Sequence, residues 1–367
     1  MKRILFVALA ATLLAAGCQK TEIINPKAGD AMTFSTGMSK LTKASDAEND
    51  GMLNLKAQDF KVWSYCAYED ANNGVTLGGV YDNMTAIDVT YAAGADGADG
   101  TWGTSTDYYW PGTDKSLDFF AVSTGHEWDA TQGLTATISN AGTTTNRTLV
   151  LNGYSVDATN PNDDLMVAEF VRQHQGMNGK KVSVHFKHSL AKVQFNFLTN
   201  ATDENVVVNS LTVDGLKTAG TLTASESDQT NIDVTTGRNT ITLGWDVSDS
   251  DTGSTFTDDY EGALTLTSTS TPFATWLVLP QVITNKKVSI NYTIGQGDKA
   301  RTFDQIFALT RAAETDDDGN VVDGKEAFGS WDINQVVIYT INLSPNKITF
   351  EPSVQDWATD KELEDQN

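Results

Sequence analysis

Residues 182–198 read VSVHFKHSLAKVQFNFL, and this stretch decides the fold class. Its apolar side chains occupy even positions up to Leu190 and odd positions from Ala191 onward. Because alternate side chains of a β-strand point to opposite faces, each half has the pattern of a strand with one buried face. The single change of phase predicts a bulge or kink, or passage of the chain from one sheet to another.

The same kind of pattern extends through most of the chain. Short runs rich in Val, Ile, Thr, Phe and Tyr are separated by Asn-Gly, Asp-Gly and Gly-Gly pairs, which favour tight hairpins. No long segment carries an apolar stripe at helical spacing, which argues against a parallel α/β sheet. We therefore predict an all-β sandwich architecture. The strands predicted after residue 198 are 206–213, 239–245, 263–267, 275–279, 288–294, 336–343 and 347–351.

Length and charge narrow the classes of protein. The chain has 367 residues, 25 Lys and Arg against 48 Asp and Glu, and a formal net charge of -23. Such an excess of acid disfavours binding to DNA or RNA, which needs a basic surface. At roughly 150 residues per domain the length suggests two domains. The polar stretch 173–181 places the boundary near residue 179, giving an N-terminal domain at 31–178 and a C-terminal domain at 179–367.

The first residues have the pattern of a bacterial lipoprotein signal. Lys2 and Arg3 precede an apolar run at 4–16, and the sequence LAAGC at 14–18 ends in Cys18. We predict a signal peptide at 1–17, acylation of Cys18 and a polar tether at 18–30. Removal of Lys2 and Arg3 would leave 23 basic against 48 acidic residues, a net charge of -25. The alternative is an ordinary signal peptide followed by a chance cysteine.

The residues that could carry chemistry form no convincing site. His185 and His188 are an odd number apart on a predicted strand, so they point to opposite faces and cannot clamp a metal together unless a bulge intervenes. Ser189 is interpreted as strand surface, and no Gly-x-Ser-x-Gly elbow is present. Residues 314–319 imitate half of a calcium loop, but Lys325 occupies position twelve, so an acidic hairpin is favoured, with looser calcium binding as an alternative. We predict no catalytic residue, no metal site and no cofactor.

Eight tryptophans raise a different possibility, a surface lipoprotein that binds glycans by stacking aromatic rings on sugars. Trp63 and Trp245 lie within predicted strands and are interpreted as core residues. Trp102 and Trp128 lie in loop-like surroundings and are the candidates for such a platform. Glycan binding is therefore the alternative function to test.

An ordered set of segments resembles the fimbrillin-like lipoproteins of Bacteroidetes. The segments are YYWP at 108–111, LDFFA at 117–121, FKHSLAKV at 186–193, LPQ at 279–281, Trp331, Asn334, Tyr339, ITF at 348–350 and Trp357. The resemblance implies two tandem transthyretin-like β-sandwich domains and a non-enzymatic subunit of type V pili that contributes to cell adhesion. It also implies a lipid anchor in the outer membrane, identical or different pilin subunits as partners, and a ligand on a host or bacterial surface.

The resemblance further implies assembly by strand exchange. In the family a protease cuts the exported precursor after the first strand, and the vacated groove accepts a strand from another subunit. Here Met32, Phe34, Thr36 and Met38 alternate with smaller or polar residues and form the candidate first strand. The interpretation expects residues 32–38 to lie at a sheet edge, from which they can leave.

The other two elements of strand exchange also have candidates. Lys43 follows the first strand and is the candidate cleavage site, although the family usually has arginine there. A loop lysine without any role is the alternative. The candidate donor strand is near the C-terminus, where Ile348, Phe350 and Val354 alternate with polar or charged residues.

Overall fold

A computed structural model describes residues 31–38, 59–69, 75–94, 100–111, 115–124, 134–140, 146–174, 181–201, 203–226, 237–247, 253–258, 263–323, 325–345 and 347–357. Within these residues there are strands and one short 3-10 helix, Gly297–Lys299, but no α-helix. No helix in this described part of the chain has the length and apolar character needed to cross a membrane. The all-β class predicted from the sequence is confirmed.

The strands are numbered in chain order. They are β1 Thr33–Met38, β2 Phe60–Glu69, β3 Val75–Val80, β4 Ile87–Ala92, β5 Thr101–Thr104, β6 Ser116–Ser123, β7 Thr135–Asn140, β8 Arg147–Ser155, β9 Met166–Ala168, β10 Phe170–Gln173, β11 Lys181–His188, β12 Ala191–Leu198, β13 Val206–Leu216, β14 Ala219–Glu226, β15 Arg238–Asn239, β16 Ile241–Val247, β17 Ser254–Asp258, β18 Leu264–Thr265, β19 Thr271–Val278, β20 Gln281–Val282, β21 Lys287–Ile294, β22 Arg301–Ala308, β23 Ser330–Trp331, β24 Gln335–Ser344 and β25 Lys347–Asp356.

The phase change at residues 190 and 191 marks a passage between sheets. β11 belongs to a ten-stranded sheet, whereas β12 belongs to a four-stranded sheet with the order β19-β12-β24-β25. Both strands keep the alternation read from the sequence, and in β12 every second side chain is buried. Of the alternatives that the pattern left open, the structure therefore has the change of sheet.

The ten-stranded sheet closes on itself. Its order is β15-β10-β6-β9-β11-β1-β5-β4-β2-β3, and an additional pairing joins β6 to β2. The strands β6, β9, β11, β1, β5, β4 and β2 thus form a closed ring in which each strand pairs with two neighbours. Each strand of the ring therefore has a neighbour on both sides, and the weakest of these pairings joins β1 to β5 through one residue pair. β1 is one of these strands, and this position defines the candidate site.

The ring surrounds a hydrophobic core of its own. Its buried members are Met32, Phe34, Phe60, Val62, Cys66, Met84, Val89, Trp102, Trp110, Leu117, Phe119, Ala121, Met166, Ala168, Val171, Val182, Val184 and Phe186. A second, larger core lies between the remaining sheets and includes Phe195, Phe197, Trp276 and Tyr339. The two cores make opposite faces of several strands apolar, as the fully buried pattern of β6 illustrates.

Sheets connect the two halves of the chain. β14 pairs with β8 in a four-stranded sheet of order β16-β14-β8-β7, and β15 pairs with β10. These pairings join strands that precede residue 179 to strands that follow it. The division into domains at 31–178 and 179–367 stays a prediction.

Candidate functional site

The candidate site is the slot that β1 fills in the ring. On one side β1 runs parallel to β11, in register from Thr33 opposite Lys181 to Met38 opposite Phe186. On the other side it meets β5 at a single pair, Phe34 opposite Trp102. The expectation that residues 32–38 form an edge strand is wrong, because β1 is flanked on both sides. Removing β1 would open the ring and leave a slot with two walls.

The inward face of β1 is strongly apolar. Met32 and Phe34 are each 5% exposed, and Thr36 is half-buried. The Phe34 ring meets the edges of Phe60 and Phe119 with centroid distances of 6.3 and 6.5 Å. Full burial of a side chain of this size contributes about 1.5 to 3 kcal/mol, so an empty slot is unfavourable in water. The Met38 side chain lies outside the described residues.

The outward face of β1 packs against one side chain of β11, the imidazole of His185. Gly37 lies opposite His185, and a Cβ atom added at Gly37 would stand 2.7 Å from His185 Cε1 and 2.9 Å from Nε2. Burial, together with the charge of Arg238, lowers the pKa of His185 to about 4. The imidazole is therefore neutral at pH 7, and it fills the space that a side chain at position 37 would need.

The candidate donor residues lie on an edge strand. β25 pairs with β24 along its whole length, from Ser344 opposite Lys347 to Gln335 opposite Asp356, and ends its four-stranded sheet. Phe350 stacks on Phe307 at 4.9 Å and on Tyr339 at 5.1 Å.

The three donor residues are not equally covered in this position. Ile348 and Phe350 are half-buried against the larger core, and Val354 is 44% exposed. β25 is thus a strand near the C-terminus whose apolar face is only partly covered.

Three residues singled out from the sequence lie outside the described residues: Cys18, Lys43 and Trp128. Acylation of Cys18 and cleavage at Lys43 stay predictions. Trp102 is described, and the expectation of a loop-like, sugar-stacking ring is wrong for it. It lies in β5, is 6% exposed, and packs at 5.1 Å from both Phe60 and Tyr91.

A buried ion network beside the ring was missed in the sequence. Asp118 of β6 accepts hydrogen bonds from Arg147 Nε at 2.8 Å and from Arg172 Nε at 2.7 Å. Arg147 also donates to the backbone oxygen of Cys66 at 3.0 Å, and its amide N–H donates to Glu226 at 2.6 Å. Burial raises the pKa of the Glu226 carboxyl. The only signal in the sequence is a charged residue within each of two apolar strands, LDFF and FVRQ.

His188 and Ser189 are structural residues of the sheet crossing. His188 Nδ1 lies 2.8 Å from an Asp164 oxygen, and its ring stacks on Trp357 at 3.7 Å. Ser189 is fully buried and donates to the Leu165 carbonyl oxygen at 2.6 Å. The interpretation of Ser189 as strand surface is wrong, because the chain leaves one sheet for the other at this residue.

The acidic stretch near residue 316 forms a hairpin. Thr315 pairs with Val321, and Asp316 accepts backbone hydrogen bonds from Asp318 and Asn320 at 3.0 and 2.9 Å. The bond from Asn320 is the main reason that the pKa of Asp316 is lowered. Within the ranges that the structure describes, no group of three or more His, Cys, Asp or Glu is placed to hold a metal.

Comparisons with known proteins point to one family. The profile of a family described as fimbrillin-like matches residues 32–357. A fimbrial protein from Bacteroides vulgatus shares 15% sequence identity with a TM-score of 0.52, over 89% of this chain and 99% of that chain. A candidate cell adhesion protein from Bacteroides uniformis shares 15% identity with a TM-score of 0.45, over 91% of this chain and 100% of that chain. No curated protein matches the sequence. The Bacteroides vulgatus structure shows that this fold is shared.

Proposed function

Because the chain belongs to the fimbrillin-like family, we propose that it is a structural subunit of a type V pilus. The precursor is exported as a lipoprotein acylated at Cys18, and cleavage at Lys43 releases β1. The slot is then filled by the C-terminal strand of another subunit, which is either an identical chain or a different pilin. The assembled fibre lies at the cell surface, anchored to the outer membrane, and contributes to adhesion.

One observation carries the proposal, namely the place of β1 in the ring. Phe34 is almost fully buried, yet β1 pairs with β5 through one residue pair only. After cleavage β1 is held by its ladder with β11 and by apolar contacts. A strand that repeats those apolar contacts can close the ring again, as in other cases where an added strand completes a sheet.

The glycan-binding alternative has less support. Of its two candidate tryptophans, Trp102 is buried in the core that the closed ring of strands encloses. Two tandem transthyretin-like sandwiches, with a boundary near residue 179, remain part of the proposal. The two sandwiches are supported by the family membership and by the separate core that the ring encloses, whereas β11 of that ring lies beyond residue 179.

Limited digestion with trypsin is expected to convert the purified chain into multimers. Cutting at Lys43 allows β1 to leave and opens the slot, so a ladder of multimers should appear on a gel as the intact chain disappears. The cleavage point is read by mass spectrometry and N-terminal sequencing. A variant with Lys40, Lys43 and Lys56 all replaced by Gln is the matched control, since it removes every lysine between β1 and β2 and leaves the other sites for trypsin. We expect it to stay monomeric. A wild-type chain that is clipped after residue 43 and remains monomeric would contradict the proposal.

A further inference from the structure

We propose that the donor strand enters the slot in one register and with the polarity of β1, so that Phe350 takes the place of Phe34 and Ser353 takes the place of Gly37. The donor is a second copy of this chain. The inference rests on the proposed function. It adds the feature that selects the incoming strand, which is the imidazole of His185 next to position 37.

The two segments resemble one another in sequence. Residues 32–38 read MTFSTGM, and residues 348–354 read ITFEPSV. Aligned without a gap, they share Thr-Phe at the second and third positions and have an apolar residue at the first and last. At the sixth position Gly37 is aligned with Ser353, which has the smallest side chain in β25.

The two segments also carry their apolar side chains on the same face. In β1, Met32 and Phe34 are buried, whereas Thr33 is exposed. In β25, Phe350 is half-buried and Pro352 is buried, whereas Glu351 and Ser353 are exposed. A shift of one residue would turn the apolar face of the donor outward, since side chains alternate along a strand. Only shifts of two residues keep the faces correct.

The contact between Gly37 and His185 disfavours those shifts. A Cβ atom at position 37 would already stand 2.7 Å from the imidazole, so the ring must move for any residue other than glycine. Serine adds the least after alanine. A shift of two residues in either direction would place Glu351 or Gln355 over the imidazole of His185. Both side chains are much larger than serine, so the register with Ser353 requires the smallest movement of the imidazole.

The remaining positions are compatible with this register. Glu351 takes the place of Ser35, whose hydroxyl has no hydrogen-bond partner among the described residues. Ser35 lies opposite Ser183, and Lys181 is two residues away on the same face of β11. Opposite charges at such a diagonal position of a sheet attract one another. Pro352 takes the place of Thr36 and costs at most one backbone hydrogen bond, because proline lacks the N–H group.

Substitutions of Ser353 and His185 test the register. We expect Ser353→Val to lower the yield of trypsin-induced multimers about 10-fold, because valine overpacks against the imidazole. Ser353→Gly should equal or exceed the wild type. Thr349→Val is the control for a valine elsewhere on the same face, since in this register it lies opposite Lys181, where Thr33 is exposed. Thermal unfolding of each intact variant checks the fold; Ser353 is exposed, so little change is expected.

A double variant identifies the contact. His185→Ala removes the ring, so the multimer yield of Ser353→Val combined with His185→Ala should return to that of His185→Ala alone. Equal yields for Ser353→Val and wild type overturn the register while leaving strand exchange intact. A defect that His185→Ala does not relieve overturns the contact with His185. If the clipped wild type forms no multimers, the proposed function itself fails, and this inference fails with it.

Discussion

Replacing Asp118 by alanine is expected to lower the free energy of unfolding by about 3 to 5 kcal/mol, the range seen when one partner of a buried ion pair is removed. The Asp118, Arg147 and Arg172 side chains are 5%, 3% and 6% exposed. Without the carboxylate, two guanidinium charges remain in a region of low polarity. The network also joins β6 of the ring to β8 and β10, so we expect both the ring and the adjoining sheet to be weakened.

Urea unfolding followed by tryptophan fluorescence measures this change. Asp88→Ala is the matched control, since it removes a carboxylate that pairs with Lys61 at the surface, where Asp88 is 66% exposed. Exposed pairs contribute about 0 to 1 kcal/mol, so the control should differ little from the wild type. A loss below about 1 kcal/mol for Asp118→Ala would show that the network does not stabilise the fold, given the 3 to 5 kcal/mol typical of buried pairs.

Replacing Phe350 by alanine is expected to reduce multimer formation about 10-fold or more. In the monomer Phe350 is half-buried, but in the slot it would take the place of Phe34, which is 5% exposed. The phenyl ring therefore gains burial when the strand is exchanged, and each 1.4 kcal/mol of that gain changes the equilibrium tenfold. Alanine loses this gain even though it also weakens the contacts of β25 with its own sheet.

The measurement compares multimer yield after trypsin treatment across a concentration series. Gln355→Ala is the matched control, because Gln355 is exposed and lies outside the segment 348–354. Its yield should match the wild type. Wild-type yield from Phe350→Ala would mean that a different segment fills the slot, or that multimers form through another surface.

Local pattern predicted the strands better than it predicted their partners. The phase change near Leu190 is a property of neighbouring residues, and it correctly indicated a discontinuity between β11 and β12. The pairing of Thr33 with Lys181 joins residues far apart in the chain, and alternation alone contains no information about it. For this reason the closed ring, and with it the flanked position of β1, could not be read from the sequence.

The sequence also failed to indicate a short strand, a mostly exposed strand and the buried ion network. Trp102 lies in a four-residue strand next to a stretch rich in Gly, Ala and Asp, so its surroundings resembled a loop. β22 was missed because its side chains are mostly exposed and give little alternation. Asp118 and its two arginines stand far apart in the sequence, and only the folded chain brings them together.

The position of the C-terminal strand in an assembled fibre tests the central claim most directly. A cryo-electron microscopy structure of fibres formed after cleavage would show which chain lies between β11 and β5 of each subunit. The account predicts residues 348–354 of the next subunit, with the Phe350 ring against Phe60 and Phe119. Finding residues 33–38 of the same chain still in that slot, with β25 still paired to its own β24, would contradict it.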